Sequence, residues 1–243
     1  MTDWQGKTYW LIGASEGLGA ALAKQLSKAG VRVILSARSE DALTRLANDL
    51  PGPSRVLPVD VTDSTALRRA AEEAGEIDGL VYLAATYWPF GAEGWDADKA
   101  ETMADVNFGG AMRAIGAVLP GMQARGTGHI LLTGSLTAYG GLPGAAPYVA
   151  TKAGIMALAE SLRCDLQGSG IKVQLINPGY IRTRLTDKND FAMPGIMEPE
   201  EAARITFEHM NTNGFCRPFP TWFSLVFRGA RFLPDWLYFR LFA

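Results

Sequence analysis

The chain has little with which to bind metal, cross-link itself or hold nucleic acid. Its 243 residues include two cysteines, Cys164 and Cys216, and two histidines, His129 and His209. With neither CxxC spacing nor a histidine cluster, no zinc site and no disulfide framework are expected, and no metal is assigned. Acidic residues outnumber basic ones by 25 to 23, for a net charge of -2, and no basic block breaks the balance, which excludes nucleic acid as a partner. No uninterrupted apolar run is long enough to span a bilayer. The opening MTDWQGKTYW lacks the charged start and apolar run of a secretory signal, so a cytoplasmic protein is expected. Repeats, low-complexity segments and linker-like stretches are absent too. The expectation is a single α/β unit over residues 1–219, followed by a distinct tail over 220–243.

What is present alternates regularly between strand and helix patterns. At 48% hydrophobic composition the chain can bury a sizeable core. Thr8 to Ile12 (TYWLI) predicts a buried strand, and the periodicity from Leu18 to Ala29, stopped by Gly30, predicts a helix. Further strands are expected at Val31–Ala37, Arg55–Val59, Gly79–Leu83, His129–Thr133 and Lys172–Ile176, with Gly214–Phe219 as a short seventh. Asp63 caps a helix reaching Ala74, and others run from Ala97 to about Met122, onward from Tyr148, and from Pro199 to about Asn211. Six or seven strands alternating with helices imply a doubly wound parallel sheet, with ligands bound beyond the carboxyl ends of its strands.

Two loops carry chemistry. Gly13-Ala14-Ser15-Glu16-Gly17-Leu18-Gly19 lies between the first strand and helix, where glycines permit a tight turn and an anion at the helix N-terminus, a candidate dinucleotide cradle. The same residues match the G-x-S-x-G nucleophile elbow of serine hydrolases. A hydrolase, however, needs an earlier strand and loop for its oxyanion hole and a histidine base. Only twelve residues precede Gly13, and only His209 could serve, since His129 enters a strand. The second stretch is Gly134 to Gly154, GSLTAYGGLPGAAPYVATKAG. Tyr148 and Lys152, four residues apart, share one helix face. A cation beside a phenol favours the phenolate and brings a group that titrates near ~10 toward working pH as a proton donor and acceptor. Ser135 ends a strand thirteen residues before Tyr148, and the glycine-rich loop between them can return its hydroxyl to a carbonyl held near the phenol.

In order and spacing these motifs resemble the short-chain dehydrogenase/reductase family: a G-x-x-x-G-x-G turn, a serine, then Tyr-x-x-x-Lys, and a Pro-Gly segment at Asn177 to Thr183. The resemblance covers about Lys7 to Thr183. It implies a Rossmann fold and a hydride transfer between a nicotinamide dinucleotide and a carbonyl or secondary alcohol. Tyr148 would protonate the developing alkoxide and Ser135 orient the carbonyl. Lys152 would lower the tyrosine's pKa and bind the nicotinamide ribose. Asn107 would kink its helix and hold a water on the proton path. Gly13, Ser15, Gly17, Leu18 and Gly19 would meet the phosphates, Asp60 and Val61 the adenine, and Ala84 and Ala85 would leave room for the cofactor. Pro178, Gly179, Ile181 and Thr183 would meet the nicotinamide amide and phosphates. At the end of the second strand Ser36 and Arg38 stand in place of an acid, which favours NADP(H) over NAD(H). The chain departs from the family's pattern at Ile12, where a threonine is usual, and at Tyr82-Leu83-Ala84-Ala85, where Asn-Asn-Ala-Gly is usual. It departs again at Glu16, in a region often basic in NADP-using relatives. The family also implies a homodimer or homotetramer. The rival reading is a protein that binds NADP(H) and a partner without catalysis; intact Ser135, Tyr148 and Lys152 argue against it.

Thr86 to Trp95 (TYWPFGAEGW) is expected to overhang the strand ends, and Arg184 to Met197 to act as a mobile substrate lid. Together with the tail they hint at a bulky, apolar substrate. The tail is rich in Trp, Phe and Arg and divided by Pro234 into two helical pieces. Such a segment can lie on a membrane, bury itself against a neighbouring subunit or roof a lipophilic pocket.

Overall fold

The computed structural model describes residues 3–242; Met1 and Thr2, at the start of the expected 1–219 unit, and Ala243, at the end of the tail, lie outside the described residues. Among the described residues, seven parallel strands form a sheet in the order β3-β2-β1-β4-β5-β6-β7. They are β1 (Thr8–Ile12), β2 (Arg32–Ser36), β3 (Ser54–Val56), β4 (Gly79–Tyr82), β5 (Gly128–Thr133), β6 (Ile171–Pro178) and β7 (Cys216–Phe219). Between them run α1 (Gly17–Lys28), α2 (Glu40–Asp49), α3 (Ser64–Ala74), α4 (Ala97–Met103), α5 (Gly110–Arg125), α6 (Ala146–Asp165) and α7 (Pro199–Met210), with α8 (Thr221–Ala230) and α9 (Asp235–Phe242) closing the chain.

Helices cover both faces of the sheet, so each strand is apolar on alternate residues in both directions. Trp10, Ile12, Ile34, Leu80, Tyr82, Ile130 and Leu132 pack toward α3, α5 and α6. Tyr9, Leu11, Val33, Leu35, Val81 and Leu131 pack toward α1, α2 and α7. The chain winds from β1 outward to β3, then returns to lay β4 on the other side of β1. That reversal leaves a crevice at the carboxyl ends of β1 and β4, where doubly wound folds bind ligands.

Most expected elements are shifted by one or two residues at their ends, and two differ more substantially. The strand expected at Arg55–Val59 is regular only over Ser54–Val56, although the Leu57 and Val59 amides still donate to Leu35 O and Ala37 O at 2.9 and 3.1 Å. The helix expected from Ala97 to Met122 is continuous, but Ala104–Gly109 is wound as a π-turn between α4 and α5. A π-turn inserts an extra residue per turn and displaces carbonyls from their usual helical partners. One of these, Val106 O, accepts a hydrogen bond of 2.6 Å from the Tyr82 hydroxyl. Tyr82 thus uses its phenol to tie the end of β4 to this helix. Gly110 is required for that tie, because a Cβ there would stand 2.3 Å from the tyrosine oxygen.

Tyr82→Phe should keep the packing and lose the hydrogen bond, lowering unfolding stability by roughly 1 kcal/mol in a urea titration. An unchanged midpoint would mean that the phenol does not support the π-turn.

Candidate active site

The crevice encloses about 870 Å³ and is lined by the glycine turn, the ends of β1, β4, β5 and β6, and the segment after β6. Its floor is built by close backbone approach. Gly13 has φ +95°, and a Cβ on it would stand 2.5 Å from Ala84 N, so the turn after β1 and the end of β4 touch only because that side chain is missing. A Cβ on Gly19 would stand 2.0 Å from Gly13 O, which fixes the entry of α1 against the turn.

Most of the residues expected to hold a cofactor line this one cleft. Gly13, Ser15, Gly17, Leu18 and Gly19 form one wall, with Arg38, Asp60 and Val61 beside them. Ala84 and Ala85 lie on the floor, Tyr148 and Lys152 at the far end, and Pro178, Gly179, Ile181 and Thr183 on the opposite wall. Asp60 is partly committed, since its Oδ1 accepts from the amide and hydroxyl of Thr62 at 2.9 and 2.8 Å.

Ser36 is a correction. Its hydroxyl is fully buried under the sheet, where it accepts from Trp10 Nε1 at 2.7 Å and donates to Leu57 O at 2.5 Å, so it cannot meet a ligand in the cleft. Ser36 is still within β2, where alternation puts it with Ile34 on the face that packs toward α3 and α5, whereas the cleft takes residues beyond the strand end. The neighbouring Ala37 lines the cleft instead, and so does Ser39, which caps α2 through Ala42 N at 3.4 Å. The histidines stay out of the cleft. His129 is buried with Tyr9, its Nδ1 2.9 Å from the phenol oxygen, and His209 sits on α7 beside Phe215 O. The hydrolase reading therefore has no base.

At the far end, α6 presents Tyr148 and Lys152 one turn apart, while its continuation through Ile155 and Ala159 is buried in the core. Lys152 is only 3% exposed. Its Nζ donates to Thr133 O at 2.9 Å, lies 5.7 Å from the centre of the Tyr148 ring, and has no other hydrogen-bond partner and no carboxylate among the described residues. Burial alone depresses this lysine to about 8. The expected lowering of the phenol is not what the geometry yields. Removal from water pushes Tyr148 up; the facing Ser135 hydroxyl pulls it down, and Tyr87, packed edge-on with ring centres 4.9 Å apart, adds to the rise. Lys152 is buried and Tyr148 half-buried against the cleft, and the ammonium is turned toward a carbonyl rather than onto the phenol oxygen. Ser135 is buried beside Tyr148, and its hydroxyl also accepts from Thr137 N at 3.2 Å.

Asn107 lies within the π-turn and is buried. Its Oδ1 accepts from Thr86 N at 2.7 Å, and its Nδ2 donates to Thr86 O at 3.0 Å and to Thr151 Oγ1 at 3.1 Å. One amide side chain thereby fastens the loop after β4 to α6, beside Lys152. Residues not anticipated from the sequence close the rim. Glu16 pairs with Arg184, tying the glycine turn to the lid segment. Lys188 Nζ donates to Tyr87 O at 2.6 Å and lies 4.6 Å from the centre of the Trp88 ring, joining the lid to the aromatic loop. An exposed pair such as the first adds little stability and leaves the two segments free to separate.

A parallel sheet with a glycine turn at its reversal point defines the class of dinucleotide-binding α/β proteins. Comparison with known sequences narrows the class: the profile of the short chain dehydrogenase family matches residues 7–193, and the chain belongs to that family of oxidoreductases. It is 34% identical over 245 residues to an uncharacterized oxidoreductase of Myxococcus xanthus, covering 98% of this chain and 97% of that one. A dehydrogenase/reductase SDR family protein 7-like of Drosophila melanogaster is 34% identical over 199 residues, covering 74% of this chain and 59% of the relative. Among solved structures, a short chain dehydrogenase from Burkholderia cenocepacia in complex with NADP superposes with a TM-score of 0.88 over 100% of both chains at 23% identity. A short-chain dehydrogenase from Sphingobium yanoikuyae in complex with NADPH gives 0.82 over 93% of both at 27% identity.

The buried lysine has a consequence for stability. Its folded pKa of about 8 lies below the ordinary 10.5, so below pH 8 folding carries the full cost of burying the ammonium, and the cost is relieved as pH rises from 8 toward 10.5. Lys152→Met should therefore be more stable than the native chain at pH 7, by up to ~3 kcal/mol, with the gain shrinking above pH 8. Denaturant midpoints across pH check this; a gain that does not change with pH would contradict it.

Proposed function

We propose that the protein moves a hydride between NADP(H) and a carbonyl or secondary alcohol, with Tyr148 as the general acid and base. The observation that carries this reading is the buried, carboxylate-free ammonium of Lys152 at the end of a glycine-walled cleft, one helical turn from a phenol. Burying an unpaired charge is costly, and a stable protein retains one where a bound group or a reaction uses it. Two unspent N–H donors on Lys152 suit the hydroxyls of a ribose. The cleft fits a dinucleotide by its chemistry: a glycine turn leading into α1 offers backbone N–H groups to a diphosphate.

When bound, the dinucleotide supplies or accepts the hydride. The chain's own part is positioning and proton transfer. Ser135 donates to the substrate oxygen and holds it toward Tyr148. In reduction the phenol gives its proton to the alkoxide oxygen as that charge develops, and Lys152 stabilises the phenolate left behind. In oxidation the same proton returns. Asn107, by fastening Thr86 to Thr151, keeps the floor loop and α6 in register. The aromatic residues Tyr87, Trp88 and Tyr180 around this end favour a substrate with a bulky apolar part.

Preference for NADP(H) rests on Arg38, a cation on the cleft wall, and on Ala37, which offers no carboxylate to repel a phosphate. The NADP and NADPH complexes named among the structural neighbours agree with it.

Tyr148→Phe should bind NADPH normally, by nucleotide fluorescence, and lose turnover roughly 10³-fold against a panel of ketones; undiminished turnover would discard the assignment. Arg38→Ala should raise KM for NADPH about tenfold to a hundredfold and leave KM for NADH within about twofold. Equal effects on both would remove Arg38 from phosphate recognition.

A further inference from the structure

The closing helices are built unlike the rest of the surface. A helix packed on a globular protein shows an apolar stripe inward and polar residues outward. Helix α8 satisfies the inward half with Phe223, Phe227 and Ala230, the two phenylalanine rings meeting edge to face at 5.0 Å. Its outward half is apolar as well, with Trp222, Leu225 and Val226 each at least half exposed. The pattern continues across Pro234: Phe232 is 88% exposed and Trp236 69%, with Phe239 and Leu241 behind them on α9. Inward, α9 is held by Tyr238, whose hydroxyl donates to Gly141 O at 2.6 Å.

Three properties select the occupant of this outward face. First, its exposed neutral hydrogen-bonding groups are few, the Thr221 hydroxyl and the indole N–H groups of Trp222 and Trp236, since Ser224 turns inward to Thr221 O and Tyr238 is spent on Gly141 O. Protein interfaces carry a polar rim with regular hydrogen bonds, whereas lipid tails ask for none. Second, the segment carries Arg228, Arg231 and Arg240 against a single Asp235, within a chain of net charge -2. None of the three arginines has an ion-pair partner among the described residues. Third, the aromatic residues are of the kind that seat at the headgroup boundary, interleaved with arginines whose stems can reach up to phosphates. No helix among the described residues is long and apolar enough to cross a membrane, so the contact is one of lying on the surface.

We propose that α8 and α9 form a docking surface for an anionic lipid bilayer, with Phe232 and Trp236 entering the acyl boundary and Arg228, Arg231 and Arg240 meeting the phosphates. The surface is continuous with the lid. Trp222 packs over Gly195, where a Cβ would stand 2.8 Å from the indole, and Phe223 lies 6.0 Å, centre to centre, from Tyr180. Docking therefore sets the edge of the cleft against the bilayer.

The test is flotation of the full chain with vesicles of phosphatidylcholine containing phosphatidylglycerol, and with phosphatidylcholine alone, alongside sedimentation velocity without vesicles. The native chain should float with the anionic vesicles and bind the neutral ones about tenfold more weakly. Phe232→Glu/Trp236→Glu, whose side chains are exposed, should lose flotation by about tenfold or more with unchanged melting and unchanged sedimentation coefficient. Arg228→Gln/Arg231→Gln should retain weak binding and lose the preference for anionic vesicles. A native chain that stays out of the vesicle fraction overturns the proposal. So does a glutamate variant that floats like the native chain, or one that dissociates a native oligomer, which would assign the face to a second copy of the chain. Vesicle partition is independent of turnover, so it separates this surface from the catalytic assignment.

Discussion

A buried ammonium without a carboxylate is the constraint on which the site depends. Lys152 holds its charge against one carbonyl, Thr133 O, inside a structure that depresses its pKa to about 8. A long, flexible side chain keeps such a position only if its backbone is immobile. That immobility comes from packing: α6 buries Ile155, Met156 and Ala159 against β5 and β6, and β5 supplies the carbonyl. The same helix turn carries Tyr148, so the spacing of the reactive pair is inherited from the core rather than set by a loop.

Two of the surrounding supports, Tyr82 and Glu16, stand where this chain departs from its family's pattern. The tyrosine at 82 replaces an amide side chain yet still anchors the strand end, by reaching the Val106 carbonyl that the π-turn releases and by occupying the space Gly110 leaves. Asn107, in the next position of that turn, joins the floor loop to α6 through Thr86 and Thr151. A single irregularity in one helix therefore braces both the cleft floor and the helix bearing Lys152. On the opposite rim, Glu16–Arg184 and Lys188–Tyr87 connect the lid to the turn and to the aromatic loop through exposed contacts that a ligand can displace.

The alternation of strands and helices was legible because both faces of the sheet are covered, which makes each strand an apolar run. The convergence of the glycine turn, Arg38, Asp60, Tyr148 and Lys152 on one cleft follows from topology alone, since all lie at carboxyl ends of parallel strands or just beyond. Ser36 was misread because it is the last residue of β2, its hydroxyl held under the sheet by Trp10 and Leu57 O, whereas Ala37, Arg38 and Ser39 beyond the strand end line the crevice. The charge relation of Tyr148 and Lys152 could not be read from i, i+4 spacing. Spacing brings two groups together, whereas burial determines what each costs to ionise. Contacts of long range, such as Glu16 with Arg184, leave no local signal at all.

The most direct measurement is a ¹³C NMR titration of the Lys152 ε-carbon in lysine-labelled protein, assigned by its loss in Lys152→Met. The account predicts a resonance that titrates near 8; a titration at the ordinary 10.5 would place the amine in water and contradict the buried, carbonyl-held ammonium from which the catalytic reading starts.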